Sequence, residues 1–138
     1  MRPPWEKFAL PAGGTPCAIG SSSEFVRAMR AIFGPLVERV RELPSGRHLW
    51  IMAEVPSEGS LHGFFRDLAK RLEPAGSLWV VFPKKPFARD LGFPYMWLDV
   101  QQAGLAAGLV DNKIAALSPR LTSIRFVIPV SRRRSTAR

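Results

Sequence analysis

Two apolar runs constrain this chain more than any other feature. His48–Val55 (HLWIMAEV) and Ser77–Phe82 (SLWVVF) show almost no alternation of polar and apolar residues, the mark of strands covered on both faces of a parallel sheet. Between them Leu61, Phe64, Phe65, Leu68 and Leu72 fall at offsets of three, four, seven and eleven, with Arg66, Asp67, Lys70, Arg71 and Glu73 on the opposite face. Ser60 caps the start of that helix, and Pro74 with Gly76 ends it. Strand, helix and strand in this order form a right-handed parallel crossover, so an α/β fold with helices on both faces of the sheet is expected.

The flanking segments extend this unit. Cys17–Gly20 is a short first strand, and Ser21 with Glu24 forms a capping box that starts a helix running to about Phe33. Gly34-Pro35 breaks it. Leu36, Val37, Val40 and Leu43 then favour a second helix, with an edge strand as the alternative reading of residues 36–43. Beyond Phe82 comes PKKPFARDLGFPYMW, fifteen residues with three prolines, then a helix from about Leu98 to Gly108. KIAAL and SIRFVIPV, separated by SPRLTS, read as an antiparallel hairpin. The first sixteen residues carry too many prolines and glycines for a helix or central strand, and read as an irregular leader pinned by Trp5 and Phe8. The expected organisation is a leader over 1–16, one three-layer Rossmann-like domain over 17–130 and a disordered basic tail over 131–138. The sheet should be mostly parallel and close on the antiparallel hairpin.

The 138 residues, 46% hydrophobic and 22% charged, suit one core. No apolar run approaches the roughly 20 residues that span a bilayer, and the amino terminus has no signal-peptide stretch, so no membrane partner and a cytoplasmic location are expected. Cys17 is the only cysteine, which leaves no internal disulfide and suggests a small buried apolar side chain. The net charge is +9, and the last eight residues hold Arg132, Arg133, Arg134 and Arg138 with no acid, so the remainder carries +5 (9 minus 4). Such a balance favours an anionic partner, nucleic acid among them.

Signatures of strong chemistry are missing. There is no GK[ST], no Gly-x-Gly-x-x-Gly and no Gly-x-Ser-x-Gly, and His48, His62 and Cys17 have no metal-ligand spacing, so no metal site is expected. Three weaker features remain. Gly20 and Ser21, opening the GSSSE turn, can offer hydroxyls and helix-start amides to a phosphate, although an ordinary helix cap is the plainer account. Lys84, Lys85 and Arg89, interleaved with Phe87, Phe93, Tyr95 and Trp97, leave the carboxyl end of a central strand, where open α/β sheets place ligands. They suit an anionic, planar partner, against the plainer reading of a packed excursion or subunit contact. Arg132, Arg133 and Arg134 can hold nucleic-acid phosphates or simply form a solvated end.

The order of apolar strands, a helix ending Pro-x-Gly and a closing hairpin resembles the second half of class I, Rossmann-like methyltransferases, which end in a parallel strand, a helix and an antiparallel strand inserted beside it. More closely, SLWVVFPKK, AGLAAGLVDNKIAALSP and TSIRFVIP resemble a bacterial family of short proteins of unknown function with that fold, over residues 49–129. The resemblance implies a cofactor at the carboxyl ends of the strands, held by a Gly-rich turn after the first strand and an acidic residue ending the second. Here that turn, Gly20-Ser21-Ser22-Ser23, has one glycine, and Glu38 and Glu42 are the acids available. The expectation is therefore a non-catalytic relative without a cofactor that binds a protein or anionic partner. The alternatives are a minimal methyltransferase or phosphate-ligand enzyme using the Pro83–Trp97 loop, and a nucleic-acid-associated basic protein.

Overall fold

The computed structural model describes residues 2–13 and 15–132. Its strands are β1 (Cys17–Ile19), β2 (Glu38–Arg39), β3 (His48–Glu54), β4 (Leu72–Pro83), β5 (Val110–Ala116) and β6 (Leu121–Val127). Its α-helices are α1 (Ser23–Ile32), α2 (Leu61–Ala69), α3 (Lys85–Ala88) and α4 (Trp97–Ala106). The strands form one sheet in the order β2-β1-β3-β4-β6-β5. β2, β1, β3 and β4 run parallel, and β6 lies antiparallel between β4 and β5.

Both faces of the sheet are covered, as the two apolar runs require. On one face Phe65 and Leu68 of α2 and Val100 and Ala103 of α4 pack with Ile51, Val80 and Phe126. On the other Phe25, Met29 and Phe33 meet Trp50, Met52, Trp79 and the leader's Phe8. Alternate residues of β3 and β4 thus point into separate cores. Phe8 lies in a single 3₁₀ turn (Glu6–Phe8), is fully buried and stands edge-on to Phe33 and Trp79. Its carbonyl accepts a 2.8 Å hydrogen bond from Trp50 Nε1. The leader is anchored by that ring, with Trp5 and Leu10 half-buried against the same core.

Four local expectations change. Residues 36–43 are not helical: after the 3₁₀ turn Gly34–Leu36, β2 joins the sheet edge, with Glu38 N and Val40 N donating to Pro16 O and Ala18 O. Helical spacing there is overridden because β1 offers an open edge and Val37 a buried position. Helix α2 stops at Ala69, and Leu72–Gly76 belongs to β4, with a bulge where His48 pairs with Leu72 and Trp50 with Ser77. Gly76 fits this bulge because a Cβ there would stand 2.9 Å from the carbonyl oxygen of His48. The cap of α1 is Ser22 and not Ser21: its hydroxyl accepts from Phe25 N at 3.2 Å. At the other end, residues 130–132 form a helical turn, closed by Arg132 N donating to Pro129 O. The disorder expected over 131–138 therefore does not hold for Ser131 and Arg132. Residues 133–138 lie outside the described residues.

Candidate functional site

The parallel strands converge at their carboxyl ends on a crevice of about 390 Å³ between the β1–α1 turn, the segment after β3 and the end of β4. Ser21, Ser22, Ser23, Glu24, Glu54 and Glu58 supply its polar wall, and Pro83, Leu91, Phe93 and Leu121 its apolar wall. Glu54 ends β3 and folds onto the neighbouring turn. Its Oε1 accepts from the amides of Ser21 and Ser22, both at 3.1 Å, and its Oε2 accepts from the Ser22 hydroxyl. Two orphan donors at the start of α1, where the helix dipole favours negative charge, are satisfied by the protein's own carboxylate. Gly20 permits this packing, since a Cβ there would lie 2.5 Å from the Phe25 ring and 2.7 Å from Cβ of Glu54.

The turn after β1 is therefore built differently from the phosphate cradle expected at Gly20 and Ser21. Its amides hold a carboxylate, and Glu24 and Glu58 add further negative charge to the same wall. Glu24 is neutralised in part by Arg120 at 2.7 Å, and that guanidinium also stands over the Phe87 ring, 5.4 Å from its centroid. Glu38 and Glu42, the acids expected at the end of the second strand, do not line the crevice: Glu38 pairs with Cys17 at the amino end of β1. There burial, and secondarily the charge of Glu38, raises the Cys17 thiol above its ordinary pKa, so it remains a protonated core side chain.

Lys84, Lys85 and Arg89 lie in a second cavity on the other side of Phe93. This groove of about 690 Å³ is walled by Phe82, Phe93, Tyr95, Met96, Trp97 and Leu98. Phe93 is buried, stacks on Phe82 with centroids 5.8 Å apart and meets Tyr95 edge-on at 5.5 Å. The Tyr95 hydroxyl donates to Gly59 O at 3.1 Å, tying the loop to the segment before α2. Met96, Trp97 and Leu98 open α4 and stay 66%, 39% and 53% exposed, while Asp99 accepts from Met96 N at 2.7 Å and fixes the helix start. Among the described residues the side chains of Lys84, Lys85 and Arg89 make no ion pair or hydrogen bond.

The residues singled out by sequence thus fall into two cavities that share only Pro83 and Phe93. Arg132 lies at the opposite end of the sheet, and Arg133 and Arg134 are outside the described residues. Glu54 was missed, because its partners lie 33 and 32 residues away in sequence. Among the described residues no cluster of His, Cys, Asp and Glu could hold a metal, and no helix is long and apolar enough to cross a membrane.

No family model and no curated protein sequence matches the chain. Solved structures do. A chain of the Haloferax volcanii complex between the methyltransferase activator Trm112 and a candidate methyltransferase superposes with a TM-score of 0.61 at 10% identity, covering 90% of this chain and 86% of that one. A SAM-dependent methyltransferase from Aquifex aeolicus gives 0.60 at 12% identity, covering 90% and 87%. The CcbJ methyltransferase of Streptomyces caelestis gives 0.59 at 14%, covering 93% and 91%. The fold is methyltransferase-like. At such identities this likeness speaks for the fold alone, and the placement of β6 between β4 and β5 is its local expression.

A methyl donor of the S-adenosylmethionine class, which this fold implies, does not fit the turn after β1. Backbone approach requires space beside Gly20, and that space is taken by Phe25 and Glu54.

Proposed function

We propose that this chain is a non-catalytic, methyltransferase-like binding domain whose working surface is the groove of residues 82–98, taking a partner with an apolar body and a negative charge. The reading is carried by Glu54: its carboxylate closes the turn through which relatives of this fold would be expected to approach a donor. The groove has the complementary character, with uncovered Met96, Trp97 and Leu98 beside cations that have no partner among the described residues. A desolvated apolar contact would supply most of the affinity, and Lys84, Lys85 and Arg89 would select for negative charge. The resemblance over residues 49–129 to short bacterial proteins of this fold agrees with a domain that keeps the scaffold and has changed its use. The Haloferax methyltransferase relative, found in complex with an activator protein, makes a protein partner a natural candidate.

Titration calorimetry with S-adenosylmethionine tests this. No saturable heat is expected up to millimolar ligand, and a micromolar Kd overturns the reading. Such a result would favour a minimal methyltransferase, which has one observation on its side: the 390 Å³ crevice keeps three carboxylates and three serines facing an open volume, a lining suited to a cationic ligand with hydroxyls.

A further inference from the structure

The pole of the sheet opposite the crevice has a different chemistry. The amino ends of β3, β4 and β5 and the carboxyl end of β6 border a depression of about 250 Å³, lined by Arg47, Arg66, Lys70 and Arg132 and, among the described residues, by no carboxylate. The four cations come from separate parts of the chain. Arg47 precedes β3, Arg66 lies on α2, Lys70 caps the carboxyl end of that helix four residues on, and Arg132 closes the turn after β6. The floor is small and apolar: Ala69, Leu72, Ala107, Gly108, Leu109 and Ile128.

The placement of Arg132 is built into the fold. Gly108 ends the α4 segment with φ +87°, and a Cβ there would overlap the guanidinium of Arg132, which donates to Gly108 O at 3.1 Å. A glycine is therefore needed at 108 both for the left-handed backbone and for the close approach of this arginine. Arg47, Arg66 and Lys70 have no ion pair or side-chain hydrogen bond among the described residues, and all four cations are exposed. Asp67 and Glu73, although close in sequence, do not line the depression.

We infer that this face is a nucleic-acid backbone site, independent of the reading given for the crevice and the groove. Arg47, Arg66 and Lys70, converging without an ion pair among the described residues, raise the local potential and hold counterions, whose release on contact with a polyanion drives association. Three of the four are arginines, whose planar guanidinium grips phosphate oxygens in a two-pronged fashion. The rim lacks the continuous apolar stripe with which a helix enters a lipid surface: of the large exposed apolar residues, Leu49 and Val130 are near in sequence to these cations, and neither lines the depression. No exposed aromatic face lines the depression, so bases would not be read and binding would be indifferent to sequence.

The test is fluorescence anisotropy of a labelled single-stranded RNA and a labelled DNA duplex with the full chain over a range of salt. Binding in the micromolar range at low salt is expected, weakening with a log–log slope of about −3 for four phosphate contacts. Replacing Arg47, Arg66 and Lys70 together by glutamate should weaken binding at least tenfold and flatten the slope by about 2, while Arg27→Glu with Arg30→Glu, exposed on α1 and outside the cavities described, should weaken it far less. Circular dichroism checks that the variants remain folded. A chain without residues 133–138 separates the patch from the basic end of the sequence. If that deletion abolishes binding and the triple variant binds like the parent, the site is overturned. It is equally overturned if neither oligonucleotide binds, or if the chain binds phosphatidylserine vesicles and no oligonucleotide.

Discussion

The β1–α1 turn and the groove of residues 82–98 lie on the same edge of the sheet, a single ring apart, and are in opposite states. In the turn the strong groups that open α1 are answered within the molecule: the Ser21 and Ser22 amides and the Ser22 hydroxyl by Glu54, and Glu24 by Arg120. In the groove three consecutive apolar side chains are left to water and the neighbouring cations find no partner among the described residues. A protein satisfies its polar groups wherever it does not need them. Carboxyl-end position in an α/β sheet is therefore a weaker guide to a working site than the inventory of groups the chain leaves unanswered.

Phe93 is the wall between the two cavities, so its removal should have the largest effect. Phe93→Ala deletes a buried ring that stacks on Phe82 and braces Tyr95, and should lower unfolding stability by about 3 kcal/mol. A urea midpoint measurement reads this directly. A loss under about 1 kcal/mol would mean that the ring is not packed as a partition, and the distinction between crevice and groove would fall with it.

The turn can be broken separately. Glu54→Ala leaves the Ser21 and Ser22 amides without their acceptor at the start of α1 and should cost about 1–2 kcal/mol, whereas Glu54→Gln keeps an acceptor and should cost less. Inorganic phosphate sharpens the comparison. It should raise the Tm of Glu54→Ala, by entering the vacated helix start, and leave the parent chain unmoved. A parent chain stabilised by phosphate would show that the turn is available after all.

The fold was legible because it rests on burial. HLWIMAEV and SLWVVF could satisfy their apolar side chains only between two layers of helices, and the SPRLTS connection was too short for anything but a hairpin. Residues 36–43 misled because β2 is two residues long and owes its state to pairing with β1, a contact that no periodicity records. The end of α2 was misplaced for a related reason: Leu72 fits the helical stripe, yet it is buried as the first residue of a bulged strand. At the site, Lys84, Lys85 and Arg89 could be named from their loop, because a long aromatic and basic connection is unusual in itself. Glu54 could not, since its partners lie more than thirty residues away in sequence, across the sheet. Arg47, Arg66 and Lys70 were individually unremarkable surface charges, and only the fold brings them to Arg132.

The smallest effect on stability should accompany the largest effect on binding, and this contrast decides whether the groove is a site or merely a rough surface. Trp97 and Leu98 are partly to largely exposed, so Trp97→Ala combined with Leu98→Ala should change the urea midpoint by no more than about 0.5 kcal/mol for each residue. The same holds for Lys84→Ala with Lys85→Ala and Arg89→Ala. The dye 1-anilinonaphthalene-8-sulfonate has the chemistry proposed for the partner, an apolar ring system carrying one negative charge. Its fluorescence should rise on mixing with the folded parent chain. Both sets of substitutions should lower that rise severalfold, the apolar pair by removing the surface that excludes water and the basic trio by removing the charge that holds the sulfonate. Glu54→Ala, on the far side of Phe93, should leave it unchanged. Dye binding that survives the loss of the apolar pair and of the basic trio would place the uncovered surface elsewhere and return the loop to a packed excursion.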